Sequence, residues 1–156
     1  MIALVEVTQA RRDELRRELS EYLVELAENE GVSVTRSPNG EPAYRWFDDY
    51  WLSDDRLPFF IEVEGVVGGF CLIRMLDSAW NIAELGVRPE QRRQRVGLRA
   101  VGALANQARS SGADHLRADV HDWNEPALRF WTACGFHRVQ TADGIIQTQF
   151  PLEPRG

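Results

Sequence analysis

The chain has 156 residues, of which 44% are hydrophobic and 27% charged, and carries a formal net charge of -6. That is enough chain for one hydrophobic core and too little for two ordinary ones, so a single domain over 1–156 is expected. The acidic balance argues against a surface built for nucleic acid, and because all 18 basic residues are arginine, lysine-based nucleophile, Schiff-base or general-base chemistry is excluded.

Ile2 to Val7 reads as a strand. Arg11 to Glu28 then carries Leu15, Leu19, Tyr22, Leu23 and Leu26 at spacings of three and four, the stripe of a helix packed on one face, with Thr8 in position to cap it. Gly31 to Pro42 is rich in Gly, Ser, Pro and Asn and reads as a loop. Ala43 to Leu52 packs Tyr44, Trp46, Phe47, Tyr50 and Trp51 into ten residues and is expected to be a second, aromatic helix.

Leu57–Val63 and Val66–Met75 form a hairpin turning at Glu64-Gly65, and the second strand is apolar on both faces. After a turn at Asp77-Ser78, Trp80–Val87 is the next strand. A helix follows with Val101, Leu104, Ala105 and Ala108 on one side, ending near Ser110-Ser111-Gly112, and Leu116–Val120 alternates as a strand. Asn124 caps a further helix with Pro126 in its first turn, which ends at Cys134-Gly135. A last hairpin, Phe136–Thr141 and Ile145–Leu152, turns around Ala142-Asp143-Gly144. The expected order is β-α-α-β-β-β-α-β-α-β-β.

Cys71 and Cys134 belong to no metal-binding or redox spacing, so no metal is expected. Met1 to Thr8 lacks a basic flank and a cleavage site, and no apolar run reaches 18 residues. A cytoplasmic location is therefore expected, without a membrane partner.

Chemistry concentrates between Arg88 and Arg99, where five arginines face the single Glu90 at the start of a helix. A helix N-terminus already carries the positive end of the macrodipole, so cations gathered there favour a bound anion. The amides around Arg95, Val96, Gly97 and Leu98 would point at it, and Gly97 would let the backbone come close.

The run V-R-P-E-Q-R-R-Q-R-V-G at Val87–Gly97 resembles the pyrophosphate loop of the GCN5-related N-acetyltransferase (GNAT) family. Spacing from Pro89 puts Arg92 at the pattern's first position, Arg95 where its first glycine stands and Gly97 at its second; a register from Gln94 makes Gly97 the first glycine but puts Arg99 at the second. Asn124, Ala127, Phe130, Trp131, Gly135 and Phe136 resemble the family's later motif. Together the two motifs cover about a third of the chain.

The resemblance implies a mixed, mostly antiparallel central sheet with helices on both faces, an α/β (α+β) fold whose sheet opens like a V to admit the pantetheine arm. It implies acetyl-CoA as co-substrate, held by Arg92, Arg93, Gln94, Arg95, Val96, Gly97, Leu98 and Arg99 at the loop, by the backbone at Leu85–Val87, and by Asn124, Ala127 and Trp131. It implies direct acetyl transfer to a primary amine, with Glu84 as the base; His121, at the end of the next strand, is a second candidate by position. Trp131 stands where the family commonly has an acid tyrosine and cannot donate that proton. A catalytically silent acyl-CoA-binding domain is therefore the alternative. The acceptor is a small-molecule or peptide amine, walled by Tyr22, Tyr44, Trp46, Tyr50 and Trp51 and attracted by Asp48, Asp49, Asp54 and Asp55. Homodimers are common in the family.

Overall fold

The computed structural model describes residues 1–153. Seven strands form one sheet: β1 (Ile2–Glu6), β2 (Arg56–Val63), β3 (Val66–Met75), β4 (Ala79–Val87), β5 (His115–His121), β6 (His137–Ala142) and β7 (Ile145–Pro151). Its spatial order is β1-β2-β3-β4-β5-β7-β6. Every neighbouring pair is antiparallel except β4 and β5.

Four helices cover the sheet: α1 (Arg12–Glu30), α2 (Asp49–Leu52), α3 (Val96–Ser110) and α4 (Glu125–Ala133). The order of elements matches the sequence reading. One expectation is corrected: the aromatic segment Ala43–Leu52 is helical only over its last turn, Asp49–Leu52. Its rings are spread over a winding segment because Phe47 and Tyr50 are drawn into the core while Trp46 stays exposed. α1 begins after a short 3-10 turn at Gln9–Arg11, and Thr8 makes no side-chain cap bond.

Alternation along the strands sorts side chains onto two faces. Phe60, Phe70 and Leu72 pack against Leu15 and Leu19 of α1 and against Phe47 and Tyr50. On the other face, Phe59, Cys71, Ile73 and Ile82 pack against Val101, Leu104 and Ala108 of α3 and Trp131 of α4. β3 runs through the middle, and seven of its ten residues, Val67–Ile73, are buried, which explains its lack of a polar set.

Two irregularities shape the centre. The ladder between β3 and β4 slips at Leu72/Ile73, pairing Ile82 with Ile73 but Glu84 with Leu72 and leaving Ala83 as an extra residue. In an uninterrupted strand Glu84 would share a face with Ile82 and point into the α3 and α4 core; the bulge turns it to the α1 side. The second irregularity is a parting of strands. β4 and β5 pair only at Ala79–Asn81 with His115–Arg117, so from Ile82 onward β4 has β3 alone as its neighbour.

Candidate active site

The parting of β4 from β5 opens a cavity of about 760 Å³ that runs between the strands from the start of α3 to Glu84. Its walls are β4 from Ile82 to Val87, the face of α1 carrying Tyr22, Leu26 and Asn29, Asp119 and His121 of β5, and the first turns of α3 and α4. Tyr22, Leu26 and Asn29 recur at helical spacing, so the stripe that packs the core at Leu15 and Leu19 lines the cavity further along.

At one end lies the start of α3. No side chain caps this helix and its first turn holds no acid, while the first recurring backbone bond runs from the Arg99 amide to the Arg95 carbonyl. The amides of Val96, Gly97 and Leu98 are thus free, as a helix N-terminus requires. Arg93 and Arg95 have left-handed backbones, with φ of 64° and 60°. For arginine that conformation costs about 1–2 kcal/mol. Among the described residues, neither guanidinium has a carboxylate partner, and both arginines line the cavity. Bare amides and two uncommitted cations in one recess suit a polyphosphate.

Arg92 behaves differently. Its guanidinium forms a bidentate pair with Glu25 of α1, at 2.7 and 2.9 Å, and donates to the Val87 carbonyl at 3.0 Å. It staples the loop to α1 at the cavity rim. Gln94 donates to the Glu90 carbonyl at 3.3 Å, and neither Gln94 nor Arg99 lines the cavity. Gly97 has an ordinary helical backbone; a Cβ there would meet the Phe130 ring at 2.9 Å. The absent side chain thus serves the packing of α3 on α4 as well as any approach of a ligand.

Glu84 lies deeper, half-buried. Tyr22 donates a hydrogen bond to its Oε1 at 3.1 Å, and Tyr44 donates to its Oε2 at 3.2 Å. Burial raises its carboxyl from the ordinary range to about 7, against the two hydroxyls, which pull it down. A carboxyl that changes charge near neutrality can accept a proton from an amine and release it again.

Asn124 and Ala127 reach the cavity, but the Asn124 side chain is occupied as the cap of α4, accepting from the Ala127 amide at 3.2 Å. Trp131 is both wall and core, in edge contact with Phe130 at 4.9 Å and tilted against Phe136 at 4.9 Å. His121 stacks on Trp123 at 5.6 Å and is exposed at the mouth.

Most of the proposed acceptor wall is not a wall. Of its five rings only Tyr22 lines the cavity: Tyr50 is core, Trp46 is exposed, and the Trp51 indole donates to the Val7 carbonyl at 3.0 Å. Asp48 is paired with Arg12 and Asp55 with Arg74, so two of the four aspartates expected to attract a cation are neutralised. The hydroxyl partners of Glu84 are absent from the sequence reading. A tyrosine inside the apolar stripe of α1 is the available signal, because a half-buried phenol needs a hydrogen-bond partner.

The model of the acetyltransferase (GNAT) family matches residues 12–136. Among curated relatives, thialysine N-epsilon-acetyltransferase of Bos taurus is 30% identical over 83 residues, covering 50% of this chain and 49% of the relative. The Mus musculus protein of the same name is 25% identical over 93 residues, covering 56% and 55%. The chain thus spans about half the length of the curated relatives it matches. Among solved structures, an acetyltransferase from Thermus thermophilus superposes with a TM-score of 0.79 at 18% identity, covering 97% of each chain. PaiA N-acetyltransferase from Thermoplasma acidophilum, solved in complex with coenzyme A, gives 0.69 at 13% identity, covering 97% of this chain and 99% of that one. The ribosomal-protein-S18-alanine N-acetyltransferase of Escherichia coli gives 0.72 at 16%, covering 100% and 97%. At these identities the structural likeness establishes the fold.

Proposed function

Because the chain belongs to the GNAT acetyltransferase family, we propose that residues 1–156 form one N-acyltransferase unit that moves an acetyl group from acetyl-CoA to a primary amine. The observation that carries this reading is one cavity that joins a cationic helix start to a half-buried carboxyl raised to about 7. Its dimensions and chemistry fit the cofactor: the bare amides of Val96, Gly97 and Leu98 with Arg93 and Arg95 would hold the phosphates, and apolar Leu85, Val87 and Ala127 would flank the arm. When bound, acetyl-CoA supplies an activated thioester carbonyl.

Glu84 receives the proton that the acceptor ammonium must lose before its nitrogen can attack. Those backbone amides of β4 within Leu85–Val87 that face the parting, where β5 no longer pairs, would stabilise charge on the acyl oxygen. Trp131 offers at most an indole N–H, so this chain supplies no evident acid at its position; a thiolate, with an ordinary pKa of about 8.5, leaves tolerably without one. Relatives named for thialysine acetylation make a lysine-like side-chain amine the first acceptor to try.

The test is CoA release from acetyl-CoA over a panel of small amines and peptides. Amine-dependent release that falls about 100-fold in Glu84→Gln is expected. CoA binding without turnover on any amine would instead identify a silent binding domain, the reading that Trp131 favours.

A further inference from the structure

We propose that Tyr22 and Tyr44 are positioning residues: a pair of neutral hydroxyls, brought from two separate elements, that aim the Glu84 carboxylate into the cavity. The inference rests on Glu84 being the base of the reaction above, yet its geometry stands by itself. The chain has only three tyrosines. Two bond the two oxygens of one carboxylate, and the third, Tyr50, is pushed up to about 12 chiefly by burial, with the Glu84 charge adding a smaller push.

Each phenol is held from behind. The Tyr22 ring stands edge-on to Phe70 at 5.3 Å, and Tyr44 edge-on to Trp46 at 5.9 Å. β4 makes room for the first of these contacts: a Cβ on Gly86 would fall 2.4 Å from the Phe70 ring and 3.1 Å from that of Tyr22. The bulge at Ala83 then turns Glu84 onto the same face. One lone pair of each carboxylate oxygen is taken by a hydroxyl, leaving the others for the amine.

The choice of donor follows from the task. An arginine against Glu84 would hold it ionised too firmly to act as a base near neutrality and would repel an incoming ammonium. A phenol lends a hydrogen bond without a charge. Burial and the neighbouring carboxylate push Tyr22 and Tyr44 far above the ordinary phenol range, so both remain donors at every working pH. The other titratable groups around Glu84 are accounted for. Cys71 of β3 is a buried thiol pushed well up, Glu25 of α1 is tied to Arg92, and Asp119 of β5 is bidentate to Arg117 at 3.0 Å, with His121 at the mouth.

The experiment is a carbon-13 carboxyl NMR titration of Glu84 in the full chain, beside pH profiles of kcat/KM, for the wild type, Tyr22→Phe, Tyr44→Phe and the double variant. Loss of one hydroxyl is expected to raise the Glu84 midpoint by about 1 pH unit and to move the acid limb of kcat/KM equally. If a phenylalanine variant does not fold, uniform 3-fluorotyrosine labelling answers instead: more acidic phenols are stronger donors and should lower the midpoint. A Glu84 midpoint that stays within about 0.3 unit under these changes overturns the proposal. Because the NMR signal needs no turnover, a moving midpoint in a protein that acetylates no amine would leave the cradle standing and remove the acyltransferase reading. A fixed midpoint in an active enzyme would do the reverse.

Discussion

At Glu84, the reactivity proposed for the carboxyl opposes stability. Its carboxyl is raised from 4.5 to about 7 in the fold, so the folded state holds a proton that the unfolded chain releases between those values. Stability is therefore fully present below about pH 4.5, falls as pH rises, and is lowered by about 3 kcal/mol once pH exceeds 7. Glu84→Gln keeps the shape without the charge and should leave the protein unchanged at pH 4.5 and stabilise it by about 2–3 kcal/mol at pH 8, read as a denaturation midpoint at each pH. A gain of equal size at both would remove burial of charge as the cause. The sequence makes Glu84 visible, being the one ionisable side chain on its stretch of strand. Its two hydroxyl partners lie 62 and 40 residues away, and no local pattern announces a contact made by tertiary packing. Arg95 shows the opposite case: its place at a helix start is legible from spacing, while its left-handed backbone becomes visible only in the turn itself.

Among the elements, the segment between α1 and α2 has the least regular structure and still delivers Tyr44 to Glu84. It is held by side chains of α1. Arg16 pairs with Glu41 at 2.7 Å, donates to the Pro42 carbonyl and lies 5.2 Å over the Phe47 ring, and Arg12 pairs with Asp48. With its side chain 13% exposed, Arg16 is more than a surface ion pair, because its stem and guanidinium also fill packing space. Arg16→Ala should cost about 1–3 kcal/mol of stability, measured by urea unfolding. It should also raise the acid limb of kcat/KM in the direction of Tyr44→Phe, because Tyr44 loses its tether. A destabilised variant with an unmoved acid limb would show that Tyr44 is placed by its own contacts. The loop was legible in the sequence as a loop. Reading its aromatic end as a helix overlooked that Phe47 and Tyr50 are three residues apart because both reach the core, one from a turn and one from a helix.

For the whole molecule, alternation and helical spacing made the order of strands and helices legible, since each element must bury one face. The parting of β4 from β5 was implied by family resemblance alone; periodicity does not encode it, because both strands keep their alternation where they separate. A ligand that contacts β4, α3 and α4 together should stabilise the chain by mass action. Coenzyme A at about 100 times its dissociation constant is expected to add about 2.7 kcal/mol, read as a rise in melting temperature that grows with ligand concentration. Absence of any rise at millimolar coenzyme A would remove the cavity as its site. The three paired residues on each side of the β4–β5 seam carry a further consequence. Among the described residues they are the only ladder pairs between a four-stranded half, β1 to β4, and a three-stranded half, β5 to β7, which are otherwise joined through the core under α3 and α4. With so few ladder bonds at the seam, amides of β5 and β7 are expected to exchange with solvent deuterium in openings that leave β2 and β3 protected. Whatever spans the gap closes those openings, which makes slowed exchange on the far half a record of occupancy on the near one.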